Sequence, residues 1–401
     1  MSFMVYFDII QTVAFAAFLL FVGSFIRGRF HVFDKYNIPA PVIGGLLFAF
    51  ANLGLQQMDI GLRFDMTLQS VFMIAFFTSI GMGASIKLLK EGGAKLIAFL
   101  VVASLLLVLQ NLVSWGLALL TGVDPLIGLL AGSITMSGGH GTGATFANYF
   151  AETFHVYGTT EVAMAAATFG LVSGSLLGGP AARHLIARKN LKPSSVADPD
   201  IELAESDFEA IEHQPIADGD VLRSIFQLAL CMSIGGVLYA YFVRIGIKVP
   251  TYLFALFVGI IVRNVSDYKG LYKVNVRLVE MMGSVSLSLF LAMALMSMQL
   301  RQLAGLAIPL LVILSGQILL MLLYATFVTF NFCGRDYDAA VLVGGHCGFG
   351  LGATPNAIAN MQAISGKHGP APRAFFLVSI VGAFFIDIVN AFVIQGFVSL
   401  M

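Results

Sequence analysis

The sequence predicts an all-α polytopic membrane protein built from two inverted-topology repeats of five transmembrane helices. Each repeat carries a glycine-rich re-entrant hairpin between its fourth and fifth helices. Three observations carry that expectation: composition, the placement of basic residues, and a pair of matching glycine-rich runs. Of the 401 residues 58% are hydrophobic and 11% charged, against about 45–50% and about 25% in an ordinary soluble domain. Water is therefore not the main solvent of this surface.

Apolar stretches of the length needed to cross about 30 Å of hydrocarbon recur from end to end. They are read as ten spans, at 6–26, 39–55, 67–85, 94–121 and 162–182 in the first half and at 222–243, 250–262, 281–298, 306–330 and 374–400 in the second. The seventh is short for a span. No Lys or Arg precedes Arg27, so the first segment reads as a retained helix and not as a signal peptide.

Positively charged loops stay in the cytoplasm. Threading the spans with the amino terminus outside puts all 22 Lys and Arg on the inner face except Arg63, Arg244, Lys248 and Arg301. One missed span would scramble every later loop, so this asymmetry supports both count and orientation. A multi-pass protein of the bacterial inner membrane with both termini in the periplasm is expected.

The segment 190–220 is rich in acids from Asp198 to Asp220 and contains Pro193, Pro199 and Pro215; it reads as a solvated cytoplasmic tether. It separates an N-terminal repeat at 1–189, with a re-entrant loop at 125–157, from a C-terminal repeat at 221–401, with a re-entrant loop at 338–366. Five spans before the tether force the second half to enter the membrane with opposite polarity.

Ser137 to Thr145 reads SGGHGTGAT and Gly344 to Thr354 reads GGHCGFGLGAT. Both hold GGH and then GXGAT, at corresponding places in their halves, which is the mark of a transporter repeat. The charge threading requires each run to enter and leave by one face, and clustered glycines favour a break in the helix. Irregular backbone at membrane depth must be buried in protein or line a wet cavity, so the two tips should meet near the midplane. Returning half-helices beginning near Thr145 and Thr354 would aim amide donors and a positive dipole end at a carboxylate. Tip carbonyls and the hydroxyls of Ser137, Thr142, Thr145 and Thr354 are hard oxygen ligands that suit sodium.

The candidate solute-binding residues are Ser137, Gly138, Gly139, His140, Gly141, Thr142 and Gly143 on the first run. On the second they are Gly345, His346, Gly348, Gly350, Gly352, Thr354 and Asn356. Ser133, Thr135, Ser137, Thr145, Asp387 and Asn390 are the candidate sodium ligands. Asp387 would sit ~20 Å into the last span at the helical rise, where a carboxylate is costly unless something positive, water or a proton accompanies it. Gln110 and Asn111 read as interhelical bonding residues. His140 and His346 read as tip hydrogen-bonding groups, and no transition metal or cofactor is expected. Cys231, Cys333 and Cys347 form no CXXC pair, so neither a disulfide framework nor a zinc site is indicated.

The chain resembles the bacterial sodium/glutamate symporter family over essentially its whole length. The residues that carry the likeness are Ser137 to Ala144 and Gly345 to Met361 (GHCGFGLGATPNAIANM). The resemblance implies secondary active, sodium-coupled symport of L-glutamate, with sodium as the coupling ion. It also implies a homodimer and an elevator-like motion, as in the similar 2-hydroxycarboxylate transporters. A sodium-coupled carrier of another small carboxylate is the alternative, and a passive channel could also place glycine-rich half-helices at the midplane. No nucleophile and base, HEXXH or paired-aspartate motif lies within the spans, so an enzyme is not expected.

Overall fold

A computed structural model describes residues 3–91, 93–193, 216, 218–245, 250–270, 274–298 and 305–401. Most of the acidic tether, and Lys248, Lys273 and Arg301 of the charge argument, lie outside the described residues. The chain is predominantly helical. In the first half run α1 (Ile9–Arg29), α2 (His31–Lys35), α3 (Ala40–Gln57), α4 (Thr67–Gly83), α5 (Ile86–Glu91), α6 (Gly93–Thr121), α7 (Pro125–Leu129), α8 (Gly139–Phe154) and α9 (Thr159–Lys189). The second half has α10 (Asp218–Arg244), α11 (Thr251–Lys269), α12 (Val276–Met296), α13 (Ala307–Phe332), α14 (Tyr337–Gly350), α15 (Thr354–His368), α16 (Pro372–Ile380) and α17 (Ile386–Val398).

Each expected span has a helical counterpart. Among the described residues seven helices are long and apolar enough to cross a membrane, and α4 and α17 are shorter apolar helices. The seventh segment, short in the apolar pattern, extends to Lys269 as α11. The tenth is two helices joined by a π turn at Val381–Phe385. Such turns recur at Ala325–Thr329 within α13 and at Leu130–Ile134 after α7, and they mark functional positions more often than ordinary helix does.

The all-α expectation is corrected at the amino terminus. Phe3–Phe7 (β1) pairs in parallel with Ile60–Phe64 (β2), so the first helix starts at Ile9 and not at Tyr6. The helix start is fixed locally, the strand by its distant partner. Asp8 accepts from the amide of Gln11 at 2.8 Å and its own amide donates to the Gln11 side chain at 3.1 Å, a capping box that fixes the helix start. The aromatic and β-branched residues before it suit a strand. Phe15, Phe48 and Phe64 pack over the sheet, with ring centroids 5.0–5.7 Å apart.

The helices sort into two bundles. α1, α3 and α4 pack with α10, α11 and α12, while α6 to α9 pack with α13 to α17. Each bundle therefore takes corresponding helices from both halves. The short α5 links the bundles in the first half, where the Asn264 side chain accepts from the Ile86 amide at 2.7 Å and donates to the Ala84 carbonyl at 2.9 Å.

Candidate functional site

Both glycine-rich runs interrupt a helix pair. On the first, Asp124 caps α7 by accepting from Leu126 at 2.8 Å. The backbone leaves helical geometry at Gly132 (φ −93°, ψ −141°) and turns through Ser137 and Gly138, and α8 begins at Gly139. On the second, Asp336 caps α14 through the Ala339 amide at 2.8 Å; the chain breaks at Leu351 to Ala353, and α15 begins at Thr354. The second returning helix begins at the expected residue. The first begins six residues before Thr145, a correction.

A second correction concerns the shared letters. In the first run the tip falls on GGH, because Gly139 adopts φ +64° and ends the turn. In the second run GGH lies inside α14, and the tip falls on the second glycine of GXGAT, Gly352. Gly345 and His346 are thus packing positions. A Cβ on Gly345 would stand 2.5 Å from the Met361 sulfur, and His346 Nδ1 pairs with the Thr329 hydroxyl at 2.8 Å while its ring stacks on Phe349. Gly348 lets the two arms touch, since a Cβ there would run into the Ala357 backbone.

The tips meet. A Cβ on Gly139 would stand 3.4 Å from the Gly352 carbonyl oxygen. Gln110 of α6 ties them: its Nε2 donates to the Gly350 carbonyl at 2.7 Å and its Oε1 accepts from the Ser137 hydroxyl at 2.8 Å. Gln317, placed in the ninth span as Gln110 is in the fourth, donates to the Gln110 carbonyl at 2.7 Å. Asn111 Oδ1 accepts from the Ser133 amide at 2.9 Å, and Asn390 Nδ2 donates to the Ser133 carbonyl at 3.0 Å. Asn356 donates to the Leu171 carbonyl at 2.8 Å and to the Ser175 hydroxyl at 2.9 Å. Most of this network is buried, where unmet polar groups are expensive.

A cavity of about 470 Å³ runs from the tips toward Arg27 and Asn37. Of the expected residues it gathers Ser137, Gly138, Gly139, His140, Gly141, Gly352, Thr354 and Asp387. Phe76, Ser284, Leu287 and Ser288 face them from the other bundle. His140 pairs with the Thr168 hydroxyl at 3.0 Å, and Thr354 donates to the Gly382 carbonyl at 2.8 Å. The cavity does not gather Thr142, Gly143, Gly345, His346, Gly348, Gly350 or Asn356, which support the tips from behind. Sequence reasoning missed Arg27, the one Arg or Lys among the cavity's lining residues, which pairs with Asp34 at 2.8 Å. It also missed Gln317, although a lone amide in an apolar helix was a legible signal.

The expected sodium ligands divide three ways, with Ser137 at the tips beside the first of them. Asp387 lines the cavity. Thr145 lines a different cavity on the far side of α8 and donates to the Gly141 carbonyl at 2.9 Å. Ser133, Thr135 and Asn390 lie in the buried network, where Thr135 donates to the Leu130 carbonyl at 2.6 Å. Ser133 Oγ and Asn390 Oδ1 are both buried without a partner, and these neutral hard oxygens have the chemistry a sodium ion takes. No cluster of His, Cys, Asp or Glu able to hold a metal occurs among the described residues.

Residues 5–370 match the family model described as sodium/glutamate symporter. The chain is 47% identical to the sodium/glutamate symporter of Escherichia coli (strain K12) over 399 residues, 99% of both chains. It is 43% identical to that of Haemophilus influenzae over 390 residues, 96% of both. It also aligns with the sodium proton antiporter of Methanocaldococcus jannaschii at 13% identity and TM-score 0.38, covering 98% of this chain and 97% of that one, too loose a likeness to argue from. A match of this identity running through both hairpins leaves one assignment, and the chain belongs to the sodium/glutamate symporter family.

Proposed function

We propose that this chain carries L-glutamate together with sodium across the bacterial inner membrane by alternating access. What supports the reading most is that the tips of two broken helices, one from each half, meet on a cavity whose opposite wall belongs to the other bundle. A solute held there touches both bundles, so sliding one against the other would carry it past the partition, as an elevator does. The hairpins are then re-entrant, the halves inverted repeats, and the protein a homodimer in which α1, α3, α4 and α10 to α12 stay fixed. By the charge threading Arg27 and Asn37 lie on the cytoplasmic side, so this conformation opens inward.

Glutamate is dianionic in its carboxylates, and the cavity offers it amides at the tips and the Arg27 guanidinium at the mouth. Sodium held by Asp387, Ser133 and Asn390 cancels the Asp387 charge that would otherwise repel those carboxylates, which couples the two bindings. In proteoliposomes the chain should accumulate labelled glutamate only with an inward sodium gradient, and should exchange labelled for unlabelled glutamate without any gradient. Flux without exchange would point to a channel, and preference for another carboxylate would replace glutamate as the solute.

Orientation has its own test. Tyr157, 82% exposed between α8 and α9, lies on the periplasmic side, and Lys192, just past α9, on the cytoplasmic side. In a background with Cys333→Ser, Tyr157→Cys should react with an impermeant thiol reagent on intact cells and Lys192→Cys should not. The reverse pattern would invert the topology.

A further inference from the structure

The second cavity, of about 450 Å³, is separate from the one at the tips. It lies between α8 on one side and α4, α10, α11 and α12 on the other, at the ends that the charge threading places outside. Its floor is aromatic: the Tyr252 ring stands 4.3 Å from Phe77 and 5.9 Å from Phe146, centroid to centroid. The two cavities share no lining residue.

Two polar groups lining this outer cavity are buried and have no partner. Gln69 Nε2 is unmet on a side chain that is 9% exposed, and the Tyr252 hydroxyl is unmet on one that is 0% exposed. Both can donate hydrogen bonds, and leaving buried donors empty is costly. Glu152 stands exposed on the same lining. Donors at depth and a carboxylate at the rim are the complement of a small zwitterion, its carboxylate inward and its ammonium outward.

We infer that this cavity is a second binding site, which takes an amino acid on the outer face before the bundles move. The inference rests on the transport reading above and adds to it a station that the tips do not supply. Gln69 Nε2 and the Tyr252 hydroxyl bind the carboxylate, and Glu152 binds the ammonium group.

The test is sidedness, with labelled L-glutamate and the full chain in right-side-out and inverted membrane vesicles. Gln69→Leu combined with Tyr252→Phe should raise the half-saturating glutamate concentration about tenfold at the outer face, the size expected for lost bonds to a charged group. The inner-face value should not move. Tyr252→Phe alone, which removes only a hydroxyl, should shift the outer value in the same direction by less. Glu152→Gln should weaken outer binding of glutamate and leave inhibition by succinate, which has no ammonium, unchanged. Equal shifts at both faces, no shift at either, or loss of exchange from both faces in every variant would overturn the site. Absence of sodium-dependent glutamate exchange in the unsubstituted protein would instead overturn the transport reading.

Discussion

Gly139→Val is expected to abolish glutamate uptake while the protein remains inserted and folded. Gly139 sits at φ +64°, a conformation that costs a residue with a Cβ about 1–2 kcal/mol and a β-branched one more. Its missing side chain points at the Gly352 carbonyl, 3.4 Å from where a Cβ would stand, so the γ-methyls of valine would push the tips apart and fill the cavity between them. Gly345→Val is expected to fail differently. There the new atoms meet the Met361 sulfur within the second hairpin and Val378 of α16, so the loss should appear as lower yield and thermal stability. Gly116→Ala, with open space around it, should transport normally. Uptake in vesicles alongside the melting temperature in detergent separates the three, and near-normal uptake by Gly139→Val would return that glycine to an ordinary packing role.

Asp387→Asn carries the second large effect. The side chain lines the inner cavity near the tips, and the substitution keeps its size and one oxygen but removes the charge. If it helps hold sodium, the half-saturating sodium concentration should rise by about tenfold or more, the scale of one bond to a charged group. Glutamate affinity at saturating sodium should change less. A neutral structural acid would tolerate the amide, and a sodium titration of uptake that superimposes on the unsubstituted protein would remove Asp387 from the site. Ser133→Ala should act in the same direction, because its hydroxyl is buried without a partner.

Most of the helix pattern was legible because span length and charge placement are local properties of the chain. The glycines mark where helices break to within a few residues, whereas the caps at Asp124 and Asp336 came to light only in the structure. The small parallel sheet was not legible. Phe3–Phe7 continues an apolar run, and only pairing with Ile60–Phe64, more than fifty residues away, makes it a strand.

The solvent of this protein, its ten apolar segments and the two places where backbone must break were determined by the sequence itself, since each depends only on neighbouring residues. Which glycine forms each tip was decided by tertiary structure. GGH ends the turn in one hairpin and is buried in a helix in the other, because Gly139 faces the opposite tip while Gly345 faces Met361 and Val378. The same holds for Thr145, which shares a motif with Ser137 yet opens onto a different cavity. Gln110 gains its role from Gly350, 240 residues further along the chain. Hydrogen-bond partners and cavity walls come from residues that meet only when the bundles pack, and no local pattern encodes which ones will meet.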